Sequence, residues 1–221
     1  MRLKVAPVAK VPVEVQATDL LRASIVTGAL APGARITETA IAEQMRVSRA
    51  TVRTALHQLF SEGLVSQVPY TGWAVITLRA EDIRELFSVR SALERLAARI
   101  VAENLTSAQA RNLQSAFDAL KQAAARGNAE QTAEADFALH KTLIRLADNT
   151  RLIRQYTILE QQIRILIRGS DALTKDPERV AKQHIPLVQA ILDKDIEAAG
   201  RLLEEHIISD GKALYVHMMD N

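Results

Sequence analysis

At 221 residues, with 48% apolar and 24% charged side chains, the chain has the make-up of one large or two modest globular domains, not of a fibrous or disordered protein. It contains no cysteine, which excludes disulfides, thiolate metal sites and cysteine nucleophiles, and no apolar run nears the roughly 18 residues that span a bilayer. The net charge of +2 is small but uneven: residues 1–78 carry 8 Lys and Arg against 5 Asp and Glu, whereas residues 79–221 carry 20 against 21.

The opening MRLKVAPVAKVPVEVQ mixes prolines with scattered charges. It lacks the continuous apolar stretch of about 7–15 residues found in a secretory leader. Residues 1–16 therefore read as a flexible arm, and the chain as cytoplasmic. From 17 to 78 three short helices follow, in TDLLRASIVTG, TETAIAEQM and SRATVRTALHQLFSEG, broken at Gly28, at Pro32 and Gly33, and at Gly63. Two β-prone runs, LVSQV and WAVITL, flank PYTG and predict a hairpin. In the third helix Ser48 is placed to cap the first turn. Val52, Ala55, Leu56 and Leu59 face inward, which leaves Arg49, Thr51 and Arg53 near the exposed beginning. Short polar and cationic side chains at that point suit contact with phosphates and base edges. Thr71 and Gly72 make a hairpin tip small enough to approach a DNA backbone. A plain three-helix module with solvated arginines would show the same spacing.

After Arg79 the pattern changes to amphipathic helices near 81–103, 106–126, 130–147, 150–169, 177–193 and 195–217, joined by short polar breaks. Short connections favour antiparallel neighbours. The expected fold is thus mainly α: a winged helix-turn-helix over 17–78, then an all-α antiparallel bundle of about six helices over 79–221.

Polar residues on the inward stripes of that bundle carry the functional signal. His140, His184 and His206 each fall at spacings of three, four and seven from apolar residues, and Asp136 lies one turn before His140. Each histidine taken singly is more often a hydrogen-bonded core residue. Together, three imidazoles and a carboxylate make a donor set suited to one divalent ion, with zinc first and nickel, manganese or iron(II) as alternatives. Arg90 lies on the inward stripe of its own helix, and an interior guanidinium needs an anion, either a ligand carboxylate or an internal glutamate.

Longer motifs carry a resemblance. I-x-x-G-x-L-x-P-G-x-R-I, V-S-R-x-T-V-R-x-A-L and L-x-x-E-G-L-V, between Leu20 and Val75, resemble the DNA-binding domain of the GntR family of bacterial transcription regulators. That resemblance implies DNA contacts from Ser48, Arg49, Thr51 and Arg53 of a recognition helix and from Thr71 and Gly72 of a wing. Arg46 stands where the family usually has glycine, Thr39 where a DNA-contacting arginine often sits, and Ala50 where many members have a polar group. E-L-F-x-V-R-x-x-L-E-x-L-A-A-R, D-x-x-L-H, Q-H-x-x-L and L-x-x-H-I, over about 80–217, resemble the FCD ligand-binding domain of FadR-type members, and six helices suggest the VanR-like branch. The second resemblance implies a divalent metal on Asp136, His140, His184 and His206, with a small organic acid beside it on Arg90.

The implied function is a homodimeric regulator, a repressor by the commoner family behaviour, that binds palindromic double-stranded operator DNA under control of a carboxylate effector. Two rivals are a metal sensor without organic effector and a metal-dependent enzyme fused to a helix-turn-helix. The enzyme would need a general base, for which Asp210, one turn beyond His206, is the best candidate.

Overall fold

The computed structural model describes residues 11–68 and 72–220. The chain forms two compact units that meet at residues 77 and 78.

The first unit opens with α1 (Val13–Val26), which starts four residues inside the stretch expected to be an arm. Pro12 sits in the capping position without a side-chain cap, and its carbonyl accepts from the amides of Val15 and Gln16 at 3.1 Å. The missing polar cap is why the sequence hides this boundary. Residues 1–10 lie outside the described part. Strand β1 (Arg35–Ile36) precedes α2 (Glu38–Met45) and α3 (Arg49–Ser61), and β2 (Val65–Val68) and β3 (Gly72–Val75) complete an antiparallel sheet in the order β1-β3-β2. The two-residue β1 is too short to leave a sequence signal. Ile36 and Trp73, directly paired across β1 and β3, are both buried beneath α3, whose Val52, Ala55, Leu56 and Leu59 are fully buried.

Arg46 ends α2 in the left-handed region, at φ 55° and ψ 44°. A Cβ is strained there, and glycine is the residue that relieves it.

The second unit contains seven helices: α4 (Ala80–Glu103), α5 (Ser107–Ala125), α6 (Ala129–Leu146), α7 (Thr150–Thr174), α8 (Pro177–Gln183), α9 (Ile185–Leu192) and α10 (Ile196–Met219). The single helix expected over 177–193 is divided at His184. Pro186 has no amide hydrogen for the carbonyl one turn back, and its ring crowds that carbonyl, so the helix restarts. The helix count that pointed to the VanR-like branch therefore does not hold. The long helices α4 and α10 run antiparallel in close contact: Gly200 of α10 faces Arg99, whereas Gly211 faces Phe87. A Cβ added at Gly211 would lie 2.5 Å from Phe87 Cγ and 2.8 Å from its Cβ.

Two outcomes follow for equilibrium unfolding. Arg46→Gly raises stability by about 0.5–1 kcal/mol, the relief of left-handed strain less the entropy of an added glycine; a loss would contradict the strain. Gly211→Ala lowers stability by about 1–3 kcal/mol through overpacking against an aromatic that cannot withdraw; an unchanged midpoint would contradict the close approach.

Candidate functional site

Two helices and one helix joint bring the expected ligands together. Asp136 and His140 lie one turn apart on α6, His184 sits at the joint of α8 and α9, and His206 comes from α10. Donor nitrogens of the three histidines all lie within 4.8 Å of one another. Asp136 joins them through Oδ1, 2.8 Å from His184 Nε2 and 3.6 Å from His140 Nε2. Asp136, His140 and His184 are each at most 2% exposed.

Outer hydrogen bonds decide which nitrogens point inward. His184 Nδ1 lies 2.9 Å from the Val180 carbonyl, which can only accept, so Nδ1 carries the proton. His140 Nδ1 donates to Glu94 Oε2. Glu94 is fully buried and also accepts from Arg90 Nε at 2.7 Å and from the Tyr156 hydroxyl at 3.3 Å. Burial alone would raise the Glu94 carboxyl, but Arg90 and then His140 outweigh it and hold the pKa down at about 2. Glu94 is thus ionised, and these outer bonds leave Nε2 of both imidazoles turned toward the centre.

Those two Nε2 atoms stand 3.2 Å apart. Nitrogens that close share a proton or a metal ion, since two bare lone pairs at that separation would repel. A zinc ion with metal–nitrogen bonds of about 2.0–2.1 Å would set adjacent donors roughly 2.9–3.4 Å apart, so the spacing fits one bound divalent ion. Among the described residues, Asp136 Oδ1 and His206 Nε2 are buried with no hydrogen-bond partner. His184 Nε2, although near Asp136 Oδ1, lies off the line of a hydrogen bond. Asp136 is held well below the carboxylate range despite burial, by His184 and then His140. Burial works against His184 in turn, but Asp136 pushes it up to about 9, so without an ion a proton takes the cation's part. Burial and the charges of His184 and His140 push His206 down.

Arg90 satisfies half of each sequence alternative. Its Nε pairs with Glu94 on its own helix instead of a neighbouring one, while its Nη1 is buried with no partner among the described residues. Asp210 Oδ2 lies 3.6 Å from His206 Nε2. Asp171 of α7 also belongs to this region: burial and then Asp136 push its carboxyl up to about 8. Sequence reading missed Glu94, Tyr156 and Asp171. Glu94 had a visible signal, a charged residue one turn after Arg90 on the same inward stripe. Tyr156 and Asp171 had none, because a lone polar residue on a long helix does not announce what it faces.

In the first unit, Ser48 caps α3 by accepting from the Thr51 amide at 3.1 Å. The side chains of Arg49 and Arg53 are 64% and 54% exposed. Glu38, on the neighbouring α2, accepts from Arg53 Nε and Nη2 at 2.9 and 2.7 Å and lies 3.8 Å from Arg49. This forked pair holds Arg53 in one extended pose, and the sequence reading had not singled out Glu38. Gly72 opens β3 at φ 114°, where a Cβ would meet the Ile36 carbonyl at 3.1 Å, so the strand pairing itself requires glycine. Thr71 lies outside the described residues. No described helix is long and apolar enough to cross a membrane.

Comparison with known proteins places both units. Residues 14–75 match the model of bacterial regulatory proteins of the gntR family, and residues 85–209 match the FCD domain. The chain is 32% identical over 193 residues to the Paenarthrobacter nicotinovorans protein named "Probable D-xylose utilization operon transcriptional repressor", covering 87% of this chain and 84% of that one. It is 27% identical over 197 residues to "HTH-type transcriptional repressor RspR" of Escherichia coli, covering 89% and 86%. Among solved structures, E. coli McbR/YncC matches with a TM-score of 0.78 at 25% identity, over 94% of this chain and 99% of that one. These relatives are transcription regulators and not metal-dependent enzymes. The chain belongs to the GntR family of bacterial transcription regulators, in the FadR-like group whose carboxy-terminal half is an FCD domain.

Proposed function

We propose that this regulator is a repressor whose hold on a palindromic operator is set by a small carboxylate bound beside a divalent metal. Asp136, His140, His184 and His206 hold the ion, zinc before nickel, manganese or iron(II), and Arg90 Nη1 receives the carboxylate. The observation that carries this reading is the pair of buried imidazole Nε2 atoms facing each other at 3.2 Å, with a carboxylate oxygen beside them. A histidine cluster meant only for packing would turn those nitrogens toward hydrogen-bond donors. Arg90 Nη1, buried and unpaired, favours an organic acid over a sensor of metal alone.

Ser48, Arg49, Thr51 and Arg53 present the DNA-reading turn of α3, and Thr71 and Gly72 the wing. The chain acts as a homodimer, so that two recognition helices meet two half-sites about one helical turn apart. An outward apolar stripe on the second unit suits a second copy: Val89 and Leu96 on α4 and Ile208 on α10 are 46%, 45% and 50% exposed. The effector changes DNA affinity only by binding one dimer geometry better than another.

Metal binding is tested by calorimetry in buffers of different ionisation enthalpy. Because Asp136 holds ion-free His184 near pKa 9, loading at pH 7 releases about one proton, and affinity falls as the pH is lowered. Binding without proton release would contradict the ligand role of His184. His184→Ala and His206→Ala abolish stoichiometric metal while leaving a folded, DNA-binding protein; unchanged metal content by elemental analysis would remove the site. Arg53→Ala weakens operator binding by roughly 10- to 100-fold with metal retained, and equal affinity would count against the assignment of α3.

A further inference from the structure

Glu94 divides its two oxygens between different partners. Oε1 accepts from Arg90 Nε at 2.7 Å and from the Tyr156 hydroxyl at 3.3 Å, whereas Oε2 accepts from His140 Nδ1. The side chain is fully buried, so bulk water cannot stand in for any of them. Arg90 and Glu94 lie one turn apart on α4, and His140 reaches them from α6. One carboxylate therefore stands between a guanidinium whose Nη1 is unpaired and a histidine of the cluster.

The three partners are not interchangeable. A guanidinium has donors only, so an oxygen must face Arg90 whatever else changes. A tyrosine hydroxyl can donate or accept, and an imidazole can carry its proton on either nitrogen. An acceptor at the Oε2 position keeps that proton on Nδ1 and leaves Nε2 for an ion. A donor there would engage the Nδ1 lone pair instead and move the proton to Nε2, into the space the ion needs. Resting on the metal-and-carboxylate reading above, we infer that Glu94 is the positioning residue that ties the two halves of the centre together, presenting His140 to the metal with one oxygen and Arg90 to the acid with the other. The arginine that receives the acid thus also decides which way Glu94 faces His140.

The test is competition titration of the full chain with zinc against a chromophoric chelator, with unfolding of the zinc-free chain followed in parallel. Glu94→Gln keeps the size of the side chain. Arg90 holds its amide oxygen, its NH2 group faces His140, and zinc affinity falls about 10- to 100-fold. Adding Arg90→Met frees the amide to turn its oxygen to His140, with the Tyr156 hydroxyl accepting from the NH2 group. The second substitution also removes the uncompensated buried charge that can keep the single variant from folding. The double variant recovers zinc affinity to within about tenfold of the unsubstituted chain. A role in packing alone would make the second substitution a further loss. Glu94→Gln binding zinc as tightly as the unsubstituted chain, or a folded double variant binding no tighter than the single one, would overturn the positioning role and leave the metal site intact. Where only the double variant folds, zinc affinity more than about 100-fold below that of the unsubstituted chain would overturn it equally. No zinc uptake by the unsubstituted chain would overturn the metal reading as well.

Discussion

Everything distinctive about the second unit follows from two imidazole Nε2 atoms, of His140 and His184, held 3.2 Å apart. Three features of the backbone create that arrangement. An i, i+4 pair on α6 sets Asp136 beside His140. Pro186 breaks the helix so that His184 can point its ring inward while Nδ1 donates to Val180. The close antiparallel contact of α4 and α10, possible because Gly211 lies against Phe87, brings Arg90 and Glu94 under His140 and carries His206 to the other side.

The supporting groups are as specific as the ligands. Arg90, Glu94 and Tyr156 form a buried chain that ends on His140 and holds its Nδ1, so that Nε2 faces the centre. Burying such charges is rarely the most stable way to fill a core, since desolvation can exceed the attraction regained. A well-packed apolar core would serve stability better. The chain instead carries ionised groups through the middle of the bundle, which makes sense if they orient a ligand-binding centre. The proposed DNA-reading helix α3 shows the same economy of motion. Glu38 holds Arg53 through Nε and Nη2 along one edge of the guanidinium, so the arginine is already extended, as the proposed contact with DNA requires.

The placement of helices was legible because apolar spacing is a long-range signal averaged over many turns. So was the set Asp136, His140, His184 and His206, since each breaks an otherwise apolar stripe. What failed to show were features decided by single contacts. Pro186 was readable as a helix breaker, yet His184 was placed within one continuous helix. The start of α1 went unseen because Pro12 supplies no polar cap. Arg90 was singled out correctly as needing an anion, but only the fold shows that Glu94 takes one side of its guanidinium and leaves Nη1 open. Asp171 could not be anticipated at all, because its significance lies in what surrounds it across other helices.

The most direct measurement is X-ray absorption at the metal edge of the zinc-loaded chain. The expected result is a light-atom shell at about 2.0–2.1 Å with the multiple-scattering signature of coordinated imidazole, reduced in His184→Ala. A shell of oxygen atoms without imidazole scattering, or no stoichiometric uptake of metal, would contradict it.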